Sequence, residues 1–241
     1  TLDRLNLPKT LVKVVPFEGR LESFAGPLPE HGANAIVMGS YTLAQVAHAR
    51  GWRPGAFLRG LNFKDQRKQW DDLMLNSDAQ ITTLGLLGHW SKEDLLFVRP
   101  VLDTKTFTGR VFDHSEIEEW ISNLEREQLH DYLNQEVMVC SKKEIWSETR
   151  TWVVDGSVVT ASGYNIGTPK QYTEPYMVDQ AVIDFANECT AMYSPNEAYV
   201  LDVADTPKGF KIVEINNLNS AGFYKGDMGK VIMAIEDLAD G

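Results

Sequence analysis

Residues 199–216 read YVLDVADTPKGFKIVEIN, which is two apolar segments separated by a turn that contains proline and glycine. Both segments are rich in β-branched and aromatic residues, and this arrangement is typical of a β-hairpin. With the turn centred on Lys208, Asp202 is predicted to lie directly opposite Glu214. Asn216 lies two residues beyond Glu214, and successive strand side chains alternate between faces, so the three polar side chains are predicted to share one face.

The shared face of this hairpin has the chemistry of a magnesium site. Two carboxylates at cross-strand distance repel one another, so a sequence that keeps them there commonly provides a cation between them. Mg²⁺ prefers hard oxygen ligands and takes its other ligands from water and phosphate oxygens. We therefore predict that Asp202, Glu214 and Asn216 bind magnesium, and the alternative is the solvated polar face of an edge hairpin. The opposite, core-facing side is predicted to carry Leu201, Val203, Val213 and Ile215.

Arginines on two other predicted strands are candidates for holding phosphate. Arg99 ends an apolar segment, and a cation that emerges from such a strand beside a loop can bind phosphate groups. Pairing of Arg99 with a carboxylate at the edge of the core is an equal alternative. Arg150 shares a strand face with Glu148, and an arginine in mid-sheet is costly unless it is paired or binds an anion. Its predicted partner is a γ-phosphate or an acyl phosphate, or else Glu148 or Asp202.

The rest of the chain has the pattern of a mixed α/β (α+β) protein. Residues 1 to 90 alternate between strand and helix patterns, as in a small open α/β lobe, and two strand-rich groups follow. Local signals are Ser40 as the N-cap of a helix, a capping box of Ser115 and Glu118, and Asp155-Gly156 as a type I′ hairpin turn. Residues 165–176 are predicted to form a loop. The predicted helices span residues 41–50, 64–75, 115–127, 177–193 and 227–238.

The composition limits the kinds of partner. The net charge is −11 and the pI is about 4.9, which argues against a wide nucleic-acid surface but not against a single nucleotide. Two cysteines are too few for a disulfide framework and indicate a reducing compartment. No segment approaches the ~20 apolar residues of a membrane span, and the first residues lack the apolar region of a signal peptide. We therefore expect a cytoplasmic protein that binds neither nucleic-acid duplexes nor membranes.

These segments occur in the order found in ATP-grasp domains: Phe97-Val98-Arg99-Pro100, then Glu136-Val137-Met138-Val139, then Glu148 with Arg150, and last Asp202 with Glu214 and Asn216. Residues 90 to about 225 resemble a divergent RimK-related branch of the ATP-grasp superfamily. That branch is common in phage and bacterial genomes and is similar to a eukaryotic assembly factor for a translation initiation factor. The most specific part of the resemblance lies in LDVA (201–204) and EINNLNSAGFY (214–224).

The resemblance implies an ATP-grasp fold, in which two α+β lobes grip ATP after a small open α/β lobe. The preceding lobe would be residues 1–90, and the ATP-grasp domain would be residues 91–241. Within that domain, residues 91–135 would form the smaller central lobe. Residues 136–241 would form the C-terminal lobe with the metal site.

Roles for individual residues are also implied by the resemblance. Arg99 and Lys105 would contact the phosphates of ATP, and Arg150 with Lys105 would stabilise the transferred phosphoryl group. Asp202, Glu214 and Asn216 would bind one or two Mg²⁺ ions. The other implied nucleotide contacts are Glu136, Val137, Met138 and Val139 as the adenine hinge, Glu148, and Ile212 beneath the adenine ring. The implied acceptor-side residues are Tyr164, Asn219 and Ser220, together with the 165–176 loop.

Enzymes of this kind phosphorylate a carboxylate with ATP, and an amine then attacks the acyl phosphate to give an amide or peptide bond, ADP and phosphate. The resemblance therefore implies a carboxylate–amine ligase that needs ATP and Mg²⁺ and acts on an amino acid, peptide or protein. In departure from the family pattern, Arg99-Pro100 replaces Lys-Pro, only Gly109 is left of a glycine-rich loop, and Tyr164 lies near the position of a second arginine. The alternative is an ATP-binding assembly factor or a protein-binding module without ligase turnover. A phage-encoded chain would act in the host cytoplasm.

Overall fold

The computed structural model describes residues 2–15, 18–58, 60–90, 95–102, 106–164 and 171–240. In chain order its strands are β1 (Val12–Val15), β2 (Arg20–Ser23), β3 (Asn34–Ile36), β4 (Arg53–Gly55), β5 (Gln80–Thr83), β6 (Leu96–Pro100), β7 (Arg110–Phe112), β8 (Glu136–Ser141), β9 (Ser147–Val154), β10 (Ser157–Tyr164), β11 (Ala198–Thr206) and β12 (Gly209–Asn217). Its α-helices are α1 (Tyr41–Ala49), α2 (Phe63–Trp70), α3 (His114–Arg126), α4 (His130–Leu133), α5 (Gln180–Met192) and α6 (Met228–Asp240). Within the described ranges, no helix has both the length and the apolar character that crossing a membrane requires.

Contacts within the chain define two compact units, one formed by residues 1–59 and 146–241 and the other by residues 60–145. These bounds differ from the implied lobes, which end at residues 90 and 135. The difference comes from strand pairing, because β5, which precedes residue 90, pairs in register with β8, which follows residue 135. Both strands therefore belong to the second unit, and the lobe boundaries stay a prediction.

The first unit is built on a four-stranded antiparallel sheet with the strand order β10-β9-β11-β12. On one face, Trp152 and Val200 belong to a buried cluster that includes residues of α6. On the other face, the hydroxyl of Tyr199 donates a hydrogen bond to Thr190 of α5 at 3.3 Å. Because alternate residues of a strand point to opposite faces, Asp202 lies on the face that carries Val200. Two small sheets, β1 with β2 and β3 with β4, complete the unit.

The hairpin of β11 and β12 has a tighter turn than the predicted one. The strands pair up to a two-residue turn, Pro207-Lys208, instead of a turn centred on Lys208. If that register continued without interruption, Val213 would lie opposite Asp202 and Glu214 would turn to the other face. A β-bulge leaves Val213 without a cross-strand neighbour, so that Asp202 pairs with Glu214. The predicted pairing is therefore confirmed, although the turn that was expected to produce it was wrong.

The bulge also decides the face on which Ile212 lies. Ile212 pairs with Val203, which follows Asp202 and therefore points to the opposite face of the sheet. The structure buries Ile212 completely and leaves Val213 half-buried. The sequence predicted Val213 on the core-facing side, and this was wrong because the bulge reverses the alternation, so that Ile212 lies on that side instead. The contact of Ile212 with an adenine ring, which the resemblance implied, stays a prediction.

The second unit contains a four-stranded antiparallel sheet with the order β5-β8-β6-β7, and α3 packs with it in one buried cluster. Asp113 is the N-cap of α3. Its carboxylate accepts a hydrogen bond from the N–H of Glu116, and the carboxylate of Glu116 accepts one from the N–H of Asp113. The predicted capping box of Ser115 and Glu118 was therefore wrong, since the same reciprocal pair forms two residues earlier.

Two other local predictions are confirmed in the first unit. Helix α1 begins at Tyr41, and the hydroxyl of Ser40 accepts a hydrogen bond from the N–H of Leu43 at 3.2 Å. Asp155 and Gly156 join β9 to β10 with φ angles of 47° and 70°. Two consecutive positive φ angles are what a type I′ turn requires, and they suit the Asp-Gly sequence.

Candidate functional site

Three polar side chains of β11 and β12 meet on one face of the sheet in the first unit. Nδ2 of Asn216 lies 2.8 Å from Oε1 of Glu214 and 3.3 Å from Oδ2 of Asp202. Asp202 is buried, whereas Glu214 and Asn216 are half-buried. The bulge at Val213 makes this arrangement possible because it returns Glu214 to the face of Asp202. The structure therefore brings together the three side chains for which magnesium binding was predicted.

Arg150 of β9 is the cross-strand neighbour of Asp202 and forms a two-point ion pair with it. Nε lies 2.9 Å from Oδ1, and Nη2 lies 2.8 Å from Oδ2. Nη1 donates to the carbonyl oxygen of Gly222 at 3.3 Å, and the guanidinium lies 4.5 Å from the ring centre of Tyr224. The sequence left a phosphate group, Glu148 and Asp202 open as partners of Arg150, and in the structure the partner is the carboxylate of Asp202. Binding of a phosphate by Arg150 stays a prediction.

Burial and pairing act in opposite directions on the pKa of Arg150. Burial disfavours the charged form and would lower the pKa, but the hydrogen bonds and the charge of Asp202 outweigh it and raise the pKa above its ordinary value. The guanidinium is therefore cationic. Because Nε and Nη2 are bonded to Asp202, Nη1 is the group of this fixed positive charge that is suited to binding an oxyanion beside the carboxylates.

Glu148 of β9 is a buried carboxylate, as Asp202 of β11 is, and it lies two residues before Arg150. Its cross-strand neighbour Tyr164 donates a hydrogen bond to its Oε2. Burial raises the pKa of Glu148, the bond from Tyr164 opposes this, and the negative charge of Asp202 raises the pKa further. Burial also raises the pKa of Tyr164, so this phenol keeps its proton and acts as the donor. Contacts of Glu148 with ATP and of Tyr164 with an acceptor stay predictions.

An aromatic cluster beside Arg150 was missed at the level of the sequence. The ring centre of Tyr224 lies 5.1 Å from that of Tyr164 and 4.6 Å from that of Tyr172. Tyr224 has a φ angle of 43°, in the left-handed region that tyrosine rarely adopts. Such a conformation persists where the surrounding structure holds the residue, and it is often found at functional sites. The available signal in the sequence was that Tyr224 ends the segment with the most specific family resemblance.

Asn219 and Ser220, both predicted to lie near an acceptor, differ in their surroundings. Asn219 is buried, its Oδ1 accepts from the N–H of Phe57 at 2.6 Å, and its Nδ2 donates to the carbonyl of Val37. Ser220 is exposed. The side chain of Asn219 therefore connects two distant parts of the first unit, and contact of either residue with an acceptor stays a prediction.

Arg99, a predicted phosphate contact, lies on β6 in the second unit and is paired across the ladder with Met138 of β8. A Cβ atom added to Gly109 would lie 2.8 Å from the Cβ of Arg99, which explains the glycine at this position. Lys105, the other predicted phosphate contact, lies outside the described residues, as do residues 165–170 of the predicted acceptor loop. The roles of Arg99 and Lys105 stay predictions.

The predicted adenine hinge, residues 136–139, begins strand β8, which lies between β5 and β6. Residues 137–139 have cross-strand neighbours on both sides, so strand pairing competes with an adenine for their main-chain groups. The side chain of Glu136 pairs with Lys64 at 2.7 Å. The hinge role therefore stays a prediction for these residues.

The donor set on β11 and β12 fits Mg²⁺. Two carboxylates and one amide offer hard oxygen ligands, and a half-turn of the Asn216 amide would exchange its nitrogen for Oδ1. Across the described ranges, no group of three or more His, Cys, Asp and Glu side chains could hold a metal ion. A site of two carboxylates and an amide leaves other positions on Mg²⁺ for water and phosphate oxygens, as a nucleotide complex requires.

The fold is that of an ATP-grasp domain, as the resemblance implied. A family model for the ATP-grasp domain, the third family of its clade, matches residues 31–235. The chain belongs to this ATP-grasp family. No curated protein matches the chain.

Solved structures with a similar fold include the RimK domain ATP-grasp protein from Sphaerobacter thermophilus, with a TM-score of 0.51 and 13% identity over 75% of this chain and 67% of that chain. The D-alanine–D-alanine ligase from Bacillus anthracis has a TM-score of 0.50 and 12% identity over 84% of this chain and 72% of that chain. The ATP-grasp ligase PsnB, complexed with a minimal precursor, has a TM-score of 0.45 and 15% identity. The match covers 66% of this chain and 53% of PsnB, so this chain spans about half the length of PsnB. At these identities the likeness shows the fold.

Proposed function

We propose that this chain is an ATP-dependent carboxylate–amine ligase that forms ADP and works through an acyl phosphate. The observation that carries the proposal is the convergence of Asp202, Glu214 and Asn216 on one sheet face, with the charged Arg150 bonded to Asp202. Membership of an ATP-grasp family supports it. So does the fold shared with a protein that is named as a D-alanine–D-alanine ligase.

Asp202, Glu214 and Asn216 would hold Mg²⁺. When bound, Mg²⁺ neutralises negative charge on the phosphates of ATP and orients them for transfer. Glu214 and Asn216 are half-buried and are the more accessible ligands, while Asp202 is buried and bonded to Arg150. The ion pair with Arg150 would hold the Asp202 carboxylate in place as a ligand.

Arg150 would stabilise the phosphoryl group during transfer. Its guanidinium is already held by Asp202, Gly222 and Tyr224, so little side-chain freedom is lost when a phosphate oxygen binds. The bond from Nη1 to Gly222 is the longest of its three hydrogen bonds at 3.3 Å. Of the three donors, Nη1 therefore loses the least hydrogen-bond energy when it leaves its present partner for a phosphate oxygen.

The proposed reaction has two steps. A carboxylate oxygen of one substrate attacks the γ-phosphorus of ATP, the bond from this phosphorus to the bridging oxygen breaks, and ADP leaves. The amine of the second substrate then attacks the carbonyl carbon of the acyl phosphate, phosphate leaves with the electron pair of the broken C–O bond, and the nitrogen loses a proton. The chain itself contributes orientation and neutralisation of charge.

Binding of nucleotide can be tested without knowledge of the substrates. We expect ATP to raise the thermal unfolding temperature in the presence of Mg²⁺ and much less in the presence of EDTA. Glu214→Gln should remove most of the magnesium-dependent increase because it removes one of two carboxylates. The matched control is Glu197→Gln, the same chemical change at an exposed residue, and it should keep the increase. An unchanged response of Glu214→Gln would contradict the assigned metal site.

Turnover is tested by phosphate release from ATP on addition of amino acids, peptides or a metabolite extract. A ligase releases phosphate in step with a new amide product, which mass spectrometry detects as a condensed mass. Tight binding of magnesium and ATP without phosphate release against any acceptor would instead support the ATP-binding assembly factor.

A further inference from the structure

Two hydrogen bonds fix the guanidinium of Arg150 along one edge. Nε and Nη2 donate to the two carboxylate oxygens of Asp202 at 2.9 and 2.8 Å, and both donors lie on the same side of the rigid, planar group. Nη1 lies off that edge, and its bond to the carbonyl of Gly222 is 3.3 Å long. A tilt of the guanidinium about the bonded edge would therefore disturb the ion pair little and displace Nη1 the most.

The ring of Tyr224 opposes such a tilt. The guanidinium carbon of Arg150 lies over this ring, 4.5 Å from its centre. A cation at this distance is attracted to the aromatic face, and a tilt would either push the group into the ring or weaken the attraction. The ring is thus a point of contact separate from Asp202, and together the two contacts restrict both the bonded edge and the tilt.

The ring of Tyr224 is itself held in place by its neighbours. Tyr172 stacks on it, with ring centres 4.6 Å apart and an angle of 27° between the planes, and the ring centre of Tyr164 lies 5.1 Å away. A Cβ atom added to Gly222 would lie 3.1 Å from Cε1 of Tyr224 and 3.5 Å from Nη1 of Arg150. The main chain therefore passes close to both the ring and the guanidinium, and the glycine leaves room for their contact.

The main chain at Tyr224 adopts a conformation that places the ring and not the hydroxyl. Its φ angle of 43° lies in the left-handed region, which tyrosine seldom adopts. The N–H of Lys225 donates to the hydroxyl of Ser162 at 3.3 Å. The N–H of Gly226 donates to the carbonyl of Phe223 at 3.0 Å, so the turn is fixed around Tyr224. The Tyr224 hydroxyl forms no hydrogen bond with any residue that the structure describes.

We propose that Tyr224 is a positioning residue for Arg150, and that its ring keeps Nη1 oriented to bind the γ-phosphate of ATP. This inference rests on the proposed ligase function, in which Arg150 stabilises the phosphoryl group, and it adds a residue to that function. Tyr224 acts through Arg150. Because ADP lacks the γ-phosphate, the effect of Tyr224 is confined to the preference of the protein for ATP over ADP.

The test is isothermal titration calorimetry of the full chain with Mg²⁺ and either ADP or the β,γ-imido analogue of ATP. We expect wild-type protein to bind the analogue ~10-fold more tightly than ADP, because the γ-phosphate accepts a charge-assisted hydrogen bond. Tyr224→Leu should reduce this preference ~5-fold and change the affinity for ADP by less than about 2-fold. Tyr224→Phe keeps the ring and should keep the preference. The matched control is Tyr176→Leu, at a tyrosine that is 84% exposed, and it should also keep the preference.

An unchanged preference in Tyr224→Leu, or an equal reduction in Tyr176→Leu, overturns the proposal. Tyr224→Asn is a second variant without the ring, and asparagine tolerates a left-handed backbone. Loss of ADP binding in both Tyr224→Leu and Tyr224→Asn would show a structural role and would also overturn the proposal.

The same measurements separate this proposal from the ligase function. If Arg150→Lys loses the preference while Tyr224→Leu and Tyr224→Asn keep it, the positioning role fails and the role of Arg150 stands. If wild-type protein binds both nucleotides equally, the role of Arg150 fails. If it binds neither nucleotide, the ligase proposal fails. In the last two cases the role of Tyr224 fails as well.

Discussion

Asp202 and Arg150 are both buried, and each is the main partner of the other. Breaking a buried ion pair by removing one partner leaves an uncompensated charge in a place that water does not reach. Glu214 lies on the same face but is half-buried, so water can compensate for changes at this position. Two carboxylates of one predicted metal site therefore differ in what they contribute to the stability of the fold.

This difference leads to a prediction about stability. Asp202→Asn should lower the free energy of unfolding by about 3 kcal/mol because buried Arg150 loses its anionic partner. Glu214→Gln should change it by less than about 1 kcal/mol. Urea denaturation of the two variants and the wild type measures both values. Equal losses would show that the ion pair does not stabilise the first unit in this way.

The buried carboxyl of Glu148 should make stability depend on pH. Its pKa in the fold is raised above the ordinary value of 4.5, so the fold favours the protonated form. The folded protein then binds more protons than the unfolded chain, and stability from Glu148 is full below the ordinary pKa and is lost as the pH rises through the raised pKa. Glu148→Gln does not titrate and keeps an acceptor for Tyr164.

We therefore expect Glu148→Gln to gain stability relative to wild type as the pH increases from about 4.5 toward neutral. The measurement is the free energy of unfolding of both proteins at several pH values, with Glu197→Gln as an exposed control. A difference between Glu148→Gln and wild type that stays constant across this range would contradict the raised pKa.

At the level of elements, the hairpin of β11 and β12 shows how a bulge can correct a register. The two-residue turn by itself would direct Glu214 away from Asp202, and the extra residue Val213 restores their pairing. Alternation in the sequence indicates which residues share a face within an uninterrupted strand. It cannot indicate where a bulge lies, because the unpaired residue is chosen by packing on both faces of the sheet.

The N-cap of α1 gives a prediction at the same scale. Ser40→Ala should lower the free energy of unfolding by about 1 kcal/mol because the N–H of Leu43 loses its acceptor. Gln45→Ala, at an exposed position within the same helix, should be neutral or slightly stabilising because alanine favours helix. Chemical denaturation compares the two. Equal effects would indicate that the cap does not stabilise α1.

At the scale of the whole chain, the first unit combines residues from both ends of the sequence. Asn219 connects them through three hydrogen bonds. Its side-chain amide bonds the main chain of Val37 and of Phe57, and its main-chain carbonyl accepts from the N–H of Gly39 at 2.7 Å. A buried side-chain amide with two main-chain partners fixes the path of the segment that it contacts. The N-terminal segment is thus part of the unit that carries the candidate site.

Loss of these bonds should loosen the N-terminal segment. Asn219→Ala leaves a buried N–H at Phe57 and a buried carbonyl at Val37 unsatisfied, which should cost about 3 kcal/mol of stability. Cleavage between residues 37 and 57 in limited proteolysis should become faster. Ser220→Ala is the neighbouring control, and it should change neither quantity because Ser220 is exposed. A stable, protease-resistant Asn219→Ala protein would contradict this role.

Several features were determined by the sequence itself. The resemblance carried by the order of the segments implied the ATP-grasp fold, which the family model confirms, and alternation placed Glu214 and Asn216 on one face. The cap at Ser40 and the turn at 155–156 were also predicted correctly. All of these depend on residue order or on the conformation of short stretches of chain, so they can be read without knowledge of distant contacts.

Only the tertiary structure decided the partners of the site residues. Arg150 bonds a carboxylate 52 residues away, Asn219 bonds a main-chain group 162 residues away, and Tyr224 meets Tyr172 and Arg150 from a different segment. The bulge at Val213 also appears only in the folded structure, where it sets the register of β12 against β11. Such contacts depend on how distant segments pack together, and the pattern of any one segment contains no information about them.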